Sequence, residues 1–144
     1  MLYRTFAASV LMAGLALATP AGAMSNGDEV NLDDVERLIQ SEKYDDAVMK
    51  LQDYTEASPF DADGYNLLGY SQRQLGAYDE AKTAYDRALR LDPAHKGAME
   101  YLGELYLQTG KPEEAKAMLA RLQEACGTDC PEYRKLSEAI ASHR

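Results

Sequence analysis

Histidine and cysteine are scarce in this sequence, with two of each in 144 residues. That set cannot fill a four-ligand zinc site without a third residue type or a second chain. A Ser–His–Asp set, a glycine-rich phosphate loop and an HExxH motif are all missing. Acidic pairs stand at Asp33-Asp34, Asp45-Asp46 and Glu113-Glu114, but without the alternating spacing and central glycine of a calcium loop. They read as solvated helix starts favoured by the helix dipole. No catalytic residue, metal or cofactor is therefore expected, and the chain is read as a non-enzyme. Basic residues are also in deficit: 15 Lys and Arg against 24 Asp and Glu leave a net charge of −9, which disfavours nucleic acid as a partner. The remaining composition, 46% apolar and 27% charged, is that of a globular chain long enough for one domain with a core.

Arg4 precedes an uncharged run from Phe6 to Ala18, rich in Ala, Leu, Val and Met. Its length of about 13 residues suits the core of a signal peptide and falls short of the roughly 20 that span a bilayer. Thr19-Pro20 breaks the helix, and Ala21-Gly22-Ala23 supplies the small-x-small pattern of a cleavage site. The expectation is a signal peptide over residues 1–23, cleavage near Ala23, a lead-in over 24–30, and a periplasmic or secreted product. An uncleaved anchor, or a start at Met24, are the competing readings.

The rest is organised by a repeat of 34 residues. Tyr44-Asp45-Asp46-Ala47 falls on Tyr78-Asp79-Glu80-Ala81, and this on Pro112-Glu113-Glu114-Ala115. Leu51, Tyr85 and Leu119 coincide, as do Pro59 with Pro93, Leu68-Gly69 with Leu102-Gly103, and Gly76 with Gly110. Small residues at Gly69, Ala81, Gly103 and Ala115 permit close approach of paired helices. Large ones at Leu68, Tyr85, Leu89, Leu102 and Leu119 fill the space between them. Gly76 and Gly110 fit turns that need a left-handed backbone. Pro59 and Pro93 stop the second helix of each pair, and Asn31, Asp61 and Asp92 are placed to cap helix entries. His95 reads as a helix-entry residue and His143 as part of the C-terminal tail.

In this period and these positions the chain resembles the tetratricopeptide repeat family, as an exported, bacterial-type member. Residues 62–95 carry Tyr65, Leu68-Gly69, Ala81, Tyr85 and Pro93, with Gln72 where Tyr is usual. Residues 96–129 carry Met99, Leu102-Gly103, Tyr106, Ala115 and Leu119, without the final Pro. Residues 28–61 match in their second half only, because Asp34-Val35 stands where Leu-Gly is expected. The resemblance implies an all-α solenoid of about three helix pairs over residues 31–130, wound as a right-handed superhelix. Tyr133, Leu136 and Ile140, at helical spacing over 131–144, predict a capping helix that covers the last apolar face.

Cys126 and Cys130 lie in the link between the third repeat and that cap. In an oxidising compartment they are expected to form a structural disulfide, with Gly127 easing the short loop. Redox exchange is the sharper alternative, since Cys130 before Pro131-Glu132 would sit at a helix N-terminus that stabilises a thiolate. The three-residue spacing and the lack of an αβ pattern count against it.

The resemblance further implies that a peptide or partner helix binds the concave surface lined by the first helix of each repeat. The corresponding positions are Asp63, Asn66, Tyr70, Arg73 and Gln74 in the second repeat, and Glu100, Glu104, Leu107 and Gln108 in the third. Leu32, Glu36 and Ile39 are their counterparts in the first. Tyr70, Leu107 and Ile39 would anchor side chains, while Glu36, Glu100 and Glu104 would favour a basic neighbour. Relatives that clamp a C-terminal carboxylate use Lys, Arg and Asn, and here Leu32 and Glu36 depart from that set, with Arg73 the lone base on the face. Two functions follow: an adaptor docking a basic or apolar segment of an envelope or secreted protein, or a thiol-disulfide or assembly factor using Cys126 and Cys130. A homodimer built from repeat faces is the third arrangement the sequence allows.

Overall fold

The computed structural model describes residues 30–143. The expected signal peptide, its cleavage point and residues 24–29 of the lead-in lie outside the described residues. Among the described residues there are seven helices and no strand: α1 (Leu32–Gln40), α2 (Tyr44–Ala57), α3 (Ala62–Gln74), α4 (Tyr78–Leu91), α5 (Lys96–Gln108), α6 (Pro112–Cys126) and α7 (Pro131–Ser142). None of them is long and apolar enough to cross a membrane. The 34-residue step is kept by the starts of α2, α4 and α6, and by those of α3 and α5. α1 breaks it, beginning four positions late and running 9 residues against 13 for α3 and α5. The irregular first repeat has thus lost about one helical turn.

Asn31 and Asp61 cap α1 and α3, each accepting from an amide two residues on at 2.9 Å. Asp92 does not cap a helix entry. It ends α4, and its carboxylate accepts from the Ala94 amide in the turn. The position one repeat after Asp61 is His95, which caps α5 by accepting the Ala98 amide on Nδ1 at 3.1 Å. The imidazole proton therefore resides on Nε2, which donates to Asp63 Oδ1 at 2.9 Å and ties α3 to α5.

Each first helix ends in the same turn. The Ala77 amide reaches back to the Gln72 carbonyl and Gly76 to Arg73; Lys111 and Gly110 repeat this onto Tyr106 and Leu107, and Lys43 and Glu42 onto Leu38 and Ile39. This pair of bonds places the penultimate residue in the left-handed region, with φ 78° at Gly76 and 72° at Gly110. In the first turn that place is held by Glu42, at φ 56°. A side chain costs about 1–2 kcal/mol there. Glu42→Gly is expected to raise stability by about 1 kcal/mol, read as a higher urea midpoint at unchanged slope.

Successive helices pack on one another, and the first helices also stack directly, α3 on α5 and α5 on α7. Leu51, Leu68, Tyr85, Leu89 and Leu102 are buried, as their positions predict, while Leu119 is half-buried at the margin. Gly69 admits the Tyr85 ring: a Cβ at Gly69 would lie 2.7 Å from it. In the first repeat the same two positions hold Val35 and Leu51, a larger residue facing a smaller one, both fully buried. At Gly103 the open face receives Leu136 of the capping helix. Arg87 and Arg121, one repeat apart, donate to the carbonyls of Pro59 and Pro93 at 3.0 and 3.1 Å, holding each second helix to the preceding exit.

Candidate functional site: a tyrosine strip across the first helices

The side chains on the α3–α5–α7 side meet around Arg73. This residue is only 6% exposed, on the last turn of α3, and its guanidinium pairs with Glu104 of α5 at 2.8 Å. The same guanidinium lies 5.5 Å from the Tyr70 ring centre and 5.7 Å from that of Tyr101. The two rings tilt against each other at 4.9 Å, and Tyr44, at the start of α2, meets Tyr70 edge-on at 6.3 Å. Tyr85, fully buried below, lies 6.4 Å from Tyr101. Tyr44, Tyr70 and Tyr101 are half-buried, so the strip keeps an outer surface. Burial raises the phenol pKa of Tyr101, reinforced by Glu100, and likewise that of Tyr44, reinforced by Tyr70. Both phenols stay protonated donors well beyond neutral pH.

A second ion pair adjoins the strip. Glu100, 3% exposed on α5, faces Lys135 of α7 at 3.4 Å. Burial pushes the Glu100 carboxyl up to about 6, with Lys135 pulling downward and Glu104 and Glu132 adding to the rise. The nearby carboxylate in turn raises Lys135. Arg73 is thus not the lone base on this face, since the capping helix contributes a second.

Of the positions expected to be exposed, Asp63, Gln74 and Gln108 are, and Tyr70 and Glu104 are half-buried. Asn66, Arg73, Glu100 and Leu107 are buried. Asn66 faces Gly97 on α5, and its Oδ1 has no hydrogen-bond partner within the described chain. Leu107 belongs to the main core with Ile140 and Ala139 of α7 against it, because the capping helix covers the end of α5. Leu32 and Ile39 pack on the core of the first repeat, leaving Glu36 exposed. Leu107 therefore serves the core and is not free for a partner, while Ile39 packs on the core of the first repeat and stays half-buried. Tyr44, Tyr101 and Lys135 join the site without having been singled out. Tyr44 lies on a second helix and Lys135 on the cap, both outside the row of positions carried over from the first helices.

Two sequence profiles, each described as tetratricopeptide repeat, match residues 32–81 and 72–140, together most of the chain. The chain belongs to the tetratricopeptide repeat family. Within it, the chain is 33% identical over 81 residues to heat shock protein STI1 of Saccharomyces cerevisiae, a match covering 56% of this chain and 14% of STI1. The solved structure of the Yersinia enterocolitica type III secretion chaperone SycD, in complex with a peptide of the translocator YopD, is similar with a TM-score of 0.67 at 27% identity. The similarity covers 77% of this chain and 84% of SycD. The first tetratricopeptide domain of Spaghetti (RPAP3), bound to the HSP90 peptide SRMEEVD, shares the fold with a TM-score of 0.66 at 22% identity, over 76% of this chain and 89% of that domain.

The Cys126 and Cys130 sulfurs lie within bonding distance, with their Cα atoms 5.9 Å apart. Cys126 ends α6 and packs against the main core; Cys130 immediately precedes α7.

Proposed function

We propose that this tetratricopeptide protein is an exported adaptor that docks a basic or apolar segment of an envelope or secreted protein along α3, α5 and α7. The observation that carries the reading is the half-buried strip of Tyr44, Tyr70 and Tyr101, set on an arginine whose charge Glu104 already balances. Aromatic rings that keep an outer surface over a rigid base are typical anchors of protein recognition. The peptide held by SycD lends support by similarity of fold. The charge-balanced Arg73 and the acidic Glu36, Asp63 and Glu104 disfavour an anionic tail. Export rests on the leader over residues 1–23, with residues 31–130 as the repeat domain and 131–144 as its cap. In an oxidising compartment the Cys126–Cys130 pair acts as a disulfide that ties α6 to α7.

The test is affinity capture from an envelope extract, using the chain produced with its leader and purified from the envelope fraction. An intact mass beginning at Met24 is expected for that preparation. A protein retained by the parent and lost by a Tyr70→Ala, Tyr101→Ala variant of unchanged helical circular dichroism supports the adaptor. Retention unchanged in that variant overturns the assignment of the face. Replacement of both cysteines by serine, in a chain that remains folded, should leave capture intact; loss of capture would favour the thiol-disulfide reading.

A further inference from the structure

We infer that the segment this strip accepts is proline-rich and bound as a polyproline II helix, its rings laid against Tyr44, Tyr70 and Tyr101. The inference rests on the adaptor reading of the same face and narrows its partner. Charge argues first. Arg73 is matched to Glu104 at 2.8 Å and Glu100 to Lys135 at 3.4 Å, so the core of the strip offers rings and phenols in place of a free charge. Each of these charges already has its counter-ion within the fold.

Shape argues second. An amphipathic helix seats its apolar side chains in an aliphatic groove. Of the candidates for such a groove, Leu107 is buried in the core, which leaves Ile39 as a single half-buried aliphatic side chain on the first repeat. What remains is a row of tyrosines contributed by three helices, with ring-to-ring steps of 6.3 and 4.9 Å. A polyproline II helix advances about 3.1 Å per residue and repeats every three residues, so a turn of roughly 9 Å is on the scale of the row. Its backbone has no internal hydrogen bonds, and its carbonyls are open to donors such as the phenols of Tyr44 and Tyr101. The conformation is also formed before binding, which limits the ordering cost on a shallow surface.

The test uses a synthetic dodecapeptide of repeating Pro-Pro-Ala, titrated into the intact mature protein and followed by calorimetry and by NMR of the tyrosine rings. Saturable binding that shifts the Tyr70 and Tyr101 ring signals is expected. Tyr70→Ala should weaken it by about fivefold or more, and so should Tyr44→Ala, a change at a ring outside the Arg73 contacts, each in a variant of unchanged helical circular dichroism. No saturable shift at millimolar peptide overturns the inference, as does binding that ignores both variants. A helical or a lysine-rich peptide of equal length that binds through the same tyrosines, when the proline peptide does not, also overturns it while leaving the adaptor reading in place. Failure of the adaptor reading itself would show separately, as capture from the envelope extract that no substitution in the strip reduces.

Discussion

Tyr85→Ala is expected to lower stability by about 3–5 kcal/mol, the cost of emptying a large aromatic site in a packed interior. The ring is fully buried at the junction of α3, α4 and α5, and it fills the face that Gly69 leaves open. The converse change, Gly69→Ala, drives a Cβ to within 2.7 Å of that ring and should cost about 1–3 kcal/mol through overpacking. Its sign depends on the partner. With Tyr85→Leu in place the Cε1 and Cζ ring atoms beside that Cβ are gone, and alanine's better helix propensity, worth up to about 1 kcal/mol over glycine, should then prevail. The first repeat already uses that combination in another form, Val35 against Leu51, so the backbone accepts both solutions. Urea denaturation of the parent, Gly69→Ala, Tyr85→Leu and the double variant measures the coupling directly. Additive effects at the two positions would show that the contact between them is not what sets the spacing of α3 and α4.

This contact explains why much of the fold was legible in the sequence. Where a small residue faces a large one at a fixed spacing, the pairing is visible as a repeat, and Gly69 with Tyr85 is such a pair. The turns at Gly76 and Gly110 were equally visible, because only glycine takes a left-handed backbone without cost. The equivalent turn at Glu42 gave no signal: the backbone bonds that close it are the same, and the side chain is simply tolerated. The late start of α1 was visible only as a mismatch at Asp34-Val35. The contact of Gly103 with Leu136 was not legible, since pairing within one repeat is local, whereas this contact depends on where the cap settles.

The site was harder to read for the same reason. Positions on the first helices could be carried over one by one, and they found Tyr70, Arg73 and Glu104. Whether such a position is open is decided by neighbouring helices, and α7 buries Leu107 while placing Lys135 against Glu100. Ring contacts between α2, α3 and α5 have no sequence period at all. Tyr44 marks the start of a second helix and Tyr101 stands where Leu67 stands one repeat earlier, so neither carried a pattern to distinguish it from core filling.

Glu100→Gln is expected to stabilise the protein at pH 8 by about 2 kcal/mol and to leave it unchanged near pH 4. The carboxyl is 3% exposed and its pKa in the fold is raised from 4.5 to about 6 by burial, against the pull of Lys135. Below pH 4.5 the group is protonated in both the folded and unfolded chains and costs nothing. Between 4.5 and 6 the unfolded chain releases its proton first, so stability falls as pH rises and levels off above about 7. Glutamine keeps the shape of the neutral acid and removes that fall. Because other carboxylates titrate in the same range, the informative quantity is the difference between parent and variant at each pH. Lys135→Ala should extend the parent's fall to higher pH and deepen it, since the Lys135 charge that favours the ionised form is gone. A glutamine variant less stable than the parent at pH 8 would mean that the ion pair outweighs the burial of its carboxylate. The joint between α5 and the capping helix would then be held by charge and not merely tolerant of it.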